Sequence, residues 1–236
     1  MRYDLLIRGG TLVLPWGEAA GDVAVTDGRI AAIGALGGHE AGEVIDAAGL
    51  HVLPGLIDSH VHFRDPGDPA IESLATGTKG AVLGGITTIF DMPNTTPPII
   101  DRVELDRKRA HAEAVSWCDV GLYVGGTKAN IPALAELEEV PGVSAIKIFA
   151  GSSTGTLMVE DDEHIEQVMR SGRRRIAFHS EDEYRLQARK PLFRSGMPHR
   201  SHMEWRDEEC AFLGTRRLMA LARRTGRPAQ IGRAHV

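Results

Sequence analysis

Cysteine is scarce. Cys118 and Cys210 are the two in 236 residues, and no C-x-x-C spacing links them, so neither a disulfide framework nor a zinc knuckle is indicated. Positive charge is not in excess either. Lys and Arg number 27 against 32 Asp and Glu, giving a formal net charge of −5 and a pI near 6.1, which disfavours a dedicated nucleic-acid binder. No run approaches the roughly 18 apolar residues of a membrane span. The opening Met1-Arg2-Tyr3-Asp4 lacks the layout of a secretory leader, because Asp4 and Arg8 interrupt its short apolar run. Hydrophobic residues make up 42% of the chain, too many for disorder at so balanced a charge. A cytoplasmic globular protein of one or two domains is expected, with neither nucleic acid nor membrane as partner. Glycine is plentiful instead: 27 residues, against an average near 7%. Such a chain needs many tight turns.

The first 53 residues read as short strands. Asp4–Arg8 stops at Gly9-Gly10, Thr11–Leu14 at Pro15, and Asp22–Val25 meets the hairpin signal Thr26-Asp27-Gly28 before Arg29–Ile33. A small antiparallel sheet or β-sandwich over residues 1–53 follows. After Pro54 the period changes. Ile86–Phe90 is β-branched and continuously apolar, as a strand buried on both faces should be. Similar strands at Val120–Val124, Ala145–Phe149 and Ile176–His179 alternate with helical patterns at Ile71–Leu83, Asp101–Val115, Ile131–Glu139, Asp161–Met169 and Arg206–Thr225. That alternation is the signature of a parallel α/β sheet or barrel. Five βα units are legible over residues 54–230.

Polar residues collect at the strand ends. His60 and His62 flank Val61, and i, i+2 positions of a strand share a face. With Asp58 on the same parity, they form a divalent-metal half-site. Lys147 lies within the apolar Ala145-Ile146-Lys147-Ile148-Phe149, where desolvation lowers an amine's pKa and makes it nucleophilic. Carbon dioxide can carboxylate such a lysine, turning a buried cation into an anionic metal bridge. His179 ends the fifth strand. These are the strand ends where barrel enzymes place their chemistry.

The run Asp58-Ser59-His60-Val61-His62-Phe63-Arg64-Asp65-Pro66-Gly67, then Asp91-Met92-Pro93-Asn94-Thr95, Ile146-Lys147-Ile148-Phe149 and Phe178-His179-Ser180-Glu181-Asp182, resembles the dihydroorotases of the amidohydrolase superfamily. Ser152-Ser153-Thr154-Gly155 and His202–Glu208 resemble the bacterial form with an N-terminal β-sandwich. The resemblance implies a (β/α)8 TIM barrel of the metal-dependent hydrolase type, incomplete here. It also implies two Zn2+ ions per active site, with His60 and His62 on one, His179 on the other and carboxylated Lys147 bridging. Arg64 and Asn94 would hold a substrate carboxylate, and the reaction would be reversible hydrolysis of dihydroorotate to N-carbamoyl-aspartate in pyrimidine biosynthesis. A homo-oligomer is expected of the full-length protein. A guanidinium fork matches a carboxylate, which dihydroorotate has and a hydantoin or neutral dihydropyrimidine lacks. Allantoinase or dihydropyrimidinase/hydantoinase activity is therefore the alternative, and a non-catalytic scaffold a further one.

A complete barrel takes about 250 residues, more than residues 54–236 supply. A fourth histidine ligand and a proton-shuttling aspartate are expected beyond the residues present, and the chain alone is expected to be inactive. Residues 231–236 can be encoded by the start of a sequencing-library adapter, so they are expected to be a non-native tail and His235 no ligand. Arg173–Arg175 reads as a solvated helix end, and Gly151–Gly155 lacks the Gly-Lys-Ser/Thr of a phosphate loop. His199 and His202 read as part of a polar loop, and His39, His51, His111 and His164 as surface or packing residues.

Overall fold

The computed structural model describes residues 2–151 and 155–232, in two units, Met1–Gly55 and Leu56–Val236. Ser152, Ser153, Thr154 and His235, invoked above, lie outside the described residues. No helix among the described residues is long and apolar enough to cross a membrane.

The first unit is one mixed sheet rather than two packed sheets. Its strands are β1 (Arg2–Leu14), β2 (Gly17–Thr26), β3 (Arg29–Gly34), β4 (Glu40–Asp46) and β5 (His51–Val52), in the order β3-β2-β1-β4, with β5 also on β1. The two hairpin pairings are antiparallel, but β4 and β5 join β1 in parallel. Asp27 and Gly28 both have positive φ, 51° and 69°, as the hairpin signal requires. Gly9-Gly10 does not end a strand. Gly9, at φ 74°, lets β1 kink while its pairing with β2 shifts register between Ile7 and Gly10. The Asp22 carboxylate accepts the Gly9 N–H (2.7 Å) and the Leu36 N–H (2.7 Å), so the kink leaves the Gly9 donor satisfied.

The second unit is a parallel sheet in strict chain order: β6 (Leu56–Val61), β7 (Ile86–Asp91), β8 (Asp119–Gly125), β9 (Val143–Phe149), β10 (Ile176–His179) and β11 (Ala229–Gly232). The five strands read from the sequence are present, and a sixth joins them. β11 pairs with β10 from Ile176↔Ala229 to His179↔Gly232, so Ile231 and Gly232, expected in a non-strand tail, continue the sheet. Four residues with one glycine and one glutamine give too weak a β pattern to be read alone.

Helices α1 (Leu74–Leu83), α2 (Arg102–Val115), α3 (Leu134–Glu138), α4 (Asp162–Arg170), α5 (Glu183–Arg189), α6 (Arg200–Trp205) and α7 (Glu208–Thr225) connect the strands. Four of them start where an aspartate accepts a backbone N–H three residues on: Asp101, Asp161, Asp182 and Asp207. Gly226, at φ 70°, closes α7 in the left-handed conformation. The segment read as a polar loop contains α6, where His202 packs edge-on against Phe193 and Trp205. Alternation sorts each strand. Ile146, Ile148, Ile176 and Phe178 join the core under the helices. Tyr123, Ala145 and Ala177 form a second cluster on the opposite, inner face. Gln230 of β11 reaches Ser59 of β6 (3.4 Å) across 171 residues, so the sheet curls until its first and last strands meet. An α/β sheet curled as a partial barrel is therefore the observed fold.

Candidate active site at the strand ends

His60 and His62 converge. Their Nε2 atoms lie 3.2 Å apart, although β6 shifts register against β7 between Asp58 and Val61. That shift breaks simple parity, and the Asp58 carboxylate turns back to accept the His60 N–H (3.0 Å). Two nitrogens at zinc–imidazole distance in tetrahedral geometry are about 3.3 Å apart, so the pair has the bite of a metal chelate. Its charge state also suits a ligand. Burial, and then the nearby positive charge of Lys147 and His62, lowers His60 to about 4 against the opposing effect of Asp58. At neutral pH that imidazole is uncharged. The donor set fits a divalent cation at the pair. No group of three His, Cys, Asp or Glu side chains gathers as a metal site among the described residues, so a third donor from among them would be of another kind.

Lys147 is of another kind. It lies on the inner parity of β9 and is 1% exposed, with burial lowering its amine from the usual 10.5 to about 7. Its Nζ lies 5.0 Å from the centroid of the Phe149 ring, and its charge is felt at His60. Asn94, in the loop after β7, places Oδ1 2.7 Å from His62 Nδ1. Arg64 is half-buried, and its backbone N–H is fixed to Glu72 O (3.0 Å). His179 closes β10 with its ring stacked on Phe149 and Nε2 2.6 Å from Glu181 Oε2.

Residues not singled out in the sequence hold this arrangement. Asp91, at the end of β7, accepts the Phe63 N–H (3.0 Å) and pairs with buried Lys108 of α2 at 2.8 Å. Lys108 also donates to Asp65 O, and His111 one turn on meets Asp65 Oδ2 at 2.9 Å. Thus α2 grips the segment between His62 and Pro66. Lys108 was hidden by its setting, Arg107-Lys108-Arg109 on a charged helix, which reads as solvent-facing. Elsewhere the main chain at Glu181 runs between two glycines: a Cβ on Gly151 would lie 2.5 Å from Glu181 O, and one on Gly214 of α7 2.8 Å from Glu181 C. We expect Gly214→Val to cost about 1–3 kcal/mol by overpacking against backbone that cannot give. Thermal unfolding checks this; an unchanged midpoint would refute the close approach.

A parallel α/β sheet curled as a partial barrel, with imidazoles and a buried lysine at the C-terminal ends of its strands, defines the class of barrel enzymes that work at that face. A family model described as the amidohydrolase family matches residues 51–222, and the chain belongs to that family. It is 45% identical over 149 residues to an allantoinase of Desulfitobacterium hafniense (strain Y51), covering 63% of this chain and 33% of that protein. With an allantoinase of Deinococcus radiodurans identity is 37% over 186 residues, covering 77% of this chain and 41% of that protein. The L-hydantoinase (dihydropyrimidinase) from Arthrobacter aurescens superposes with a TM-score of 0.90 at 26% identity, over 97% of this chain and 52% of that one. The chain thus spans between a third and about half the length of these relatives. The superfamily inferred from the motifs stands. The narrowing to dihydroorotase is not supported by these relatives, which are named allantoinase and hydantoinase.

Proposed function

We propose that this chain is part of a cyclic-amide hydrolase of allantoinase type, opening a neutral five-membered ureide ring rather than dihydroorotate. The observation that carries the reading is the 45% identity to an allantoinase across the stretch matched. The geometry of Asn94 supports it. A side-chain oxygen 2.7 Å from His62 Nδ1 serves to orient that ring, which weakens the case for Asn94 as half of a carboxylate clamp. The ring-opening takes up one water: the amide C–N bond breaks, the carbonyl carbon gains the oxygen, and the released nitrogen gains a proton.

On this reading His60 and His62 would hold one zinc ion, His179 would hold a second, and Lys147, once carboxylated, would supply an anionic donor. When bound, such metals supply Lewis acidity and lower the pKa of water at the site. The chain's own contribution is preparation. Burial keeps Lys147 near neutrality, the state in which an amine attacks carbon dioxide. Asn94 fixes the proton of His62 on Nδ1 and so commits Nε2 to the metal. Arg64, two residues past His62, would meet polar edges of the substrate.

The test is turnover by the protein from the complete source gene, zinc-loaded, with allantoin, dihydrouracil and dihydroorotate. Hydrolysis of allantoin is expected; activity on dihydroorotate alone would overturn the substrate assignment. Asn94→Ala is expected to lower zinc affinity about 10–100-fold and to reduce kcat. A variant with a raised KM and full zinc content would return Asn94 to the substrate.

A further inference from the structure

We propose that Glu181, clamped by Arg206, is a positioning residue that fixes the proton of His179 on Nε2 and commits Nδ1 to the metal. The inference rests on the reading of His179 as a ligand. Glu181 is 1% exposed, and both its carboxylate oxygens are engaged. Oε2 lies 2.6 Å from His179 Nε2 and also meets Arg206 Nη2, while Oε1 accepts from Arg206 Nε at 2.9 Å.

The bidentate guanidinium holds Glu181 as a carboxylate, and a carboxylate can only accept. The proton in the 2.6 Å contact therefore belongs to His179 Nε2. In a neutral imidazole one nitrogen donates and the other carries the lone pair, so Nδ1 is the basic nitrogen. His60 and His62, by contrast, turn Nε2 toward each other, with Nδ1 of His62 against Asn94. The two halves of the site thus use opposite ring nitrogens, each set by a partner on the far side of the ring.

Position supports the same role. Glu181 cannot drift, because its main chain lies between Gly151 and Gly214. Ser180 Oγ bonds Thr215 Oγ1 (2.7 Å), and the Asp182 N–H bonds Cys210 O (2.9 Å), tying the same stretch to α7. Arg206 immediately precedes Asp207, the cap of α7. The clamp is thereby built on the start of α7, while Glu181 itself immediately precedes Asp182, the cap of α5. Arg206 also balances the carboxylate's charge, so Glu181 orients the ring without adding net negative charge beside it.

The first measurement needs no variant of Glu181. In the metal-free, 15N-labelled complete protein, the His179 ring, assigned with His179→Gln, should show the Nε2–H tautomer by long-range 1H–15N correlation. The Nδ1–H tautomer would overturn the proposal. The second is zinc binding by chelator competition. Glu181→Gln should weaken one of two zinc ions about 10–100-fold and leave the other, at His60 and His62, unchanged. Unchanged affinity for both overturns the proposal. Failure of the wild-type protein to hydrolyse any cyclic amide would instead count against the hydrolase reading, leaving the tautomer and zinc results to judge Glu181.

Discussion

Glu138→Ala should lower the unfolding free energy by about 3–5 kcal/mol, the cost of removing one partner from a buried ion pair. Glu138 ends α3 and is fully buried. Its Oε1 pairs with buried Arg227, which lies between α7 and β11, and its Oε2 accepts the N–H groups of Arg173 (2.7 Å) and Arg174 (3.1 Å). One carboxylate therefore ties three connections together. Alanine leaves a buried guanidinium and two backbone donors without an acceptor, and each such group is costly. Against the 5–15 kcal/mol typical of a domain, that is a large share. Urea unfolding at pH 7 measures it. Adding Arg227→Met should recover part of the loss, because the uncompensated cation goes too. A single-variant cost below about 1 kcal/mol would show that the pair does not hold these connections.

Replacing Lys147 by Met should stabilise the metal-free protein in buffer stripped of carbon dioxide. Burial holds the folded-state amine at about 7, whereas an unfolded lysine titrates near 10.4. A base with a lowered folded pKa opposes folding most where both states are protonated, below about pH 7. As pH rises from about 7 to 10.4 the folded form is neutral and the unfolded form still binds a proton, so stability rises with pH. The gain for Lys147→Met should be on the order of 4 kcal/mol at or below pH 7 and vanish above about pH 10. Parallel denaturant titrations across that range check it. A difference that stays constant with pH would mean that the lysine is not held neutral by burial. Activity should move the opposite way, since the methionine offers no bridging donor.

The sequence carries the frame of this molecule further than its closures. Aspartate caps and apolar strands specify themselves locally, so Asp101, Asp161 and the five strands from β6 to β10 are where the chain pattern puts them. β11 is not, because Gln230 and Gly232 suit a strand only beside an existing edge. The kink at Gly9 looked like a strand end because its stabiliser, Asp22, sits on another strand. The site divides the same way. His60 and His62 are close in the chain and do converge, although the strand parity that suggests it is broken, and the burial of Lys147 follows from its apolar neighbours. The Asn94–His62 and Glu181–His179 contacts do not follow from the sequence, since their partners lie on other elements or beyond the strand end. The reading of Arg64 and Asn94 as a carboxylate clamp rests on residue type and resemblance, whereas the position of Asn94 against His62 is not legible in the sequence.

The chain-order sheet of the second unit also has a bearing on how the molecule is made. Each strand from β7 to β10 pairs with the one synthesised just before it, with one connecting segment between. Contacts of modest sequence separation form early and favour fast assembly, and growth from the N-terminus suits a chain leaving the ribosome. On that route the imidazole pair at the end of β6 is laid down first and Lys147 of β9 reaches it three βα units later. The Gln230–Ser59 contact waits for the final turn. The paired imidazoles would thus be in place, partly wet, before the interior that buries them is complete.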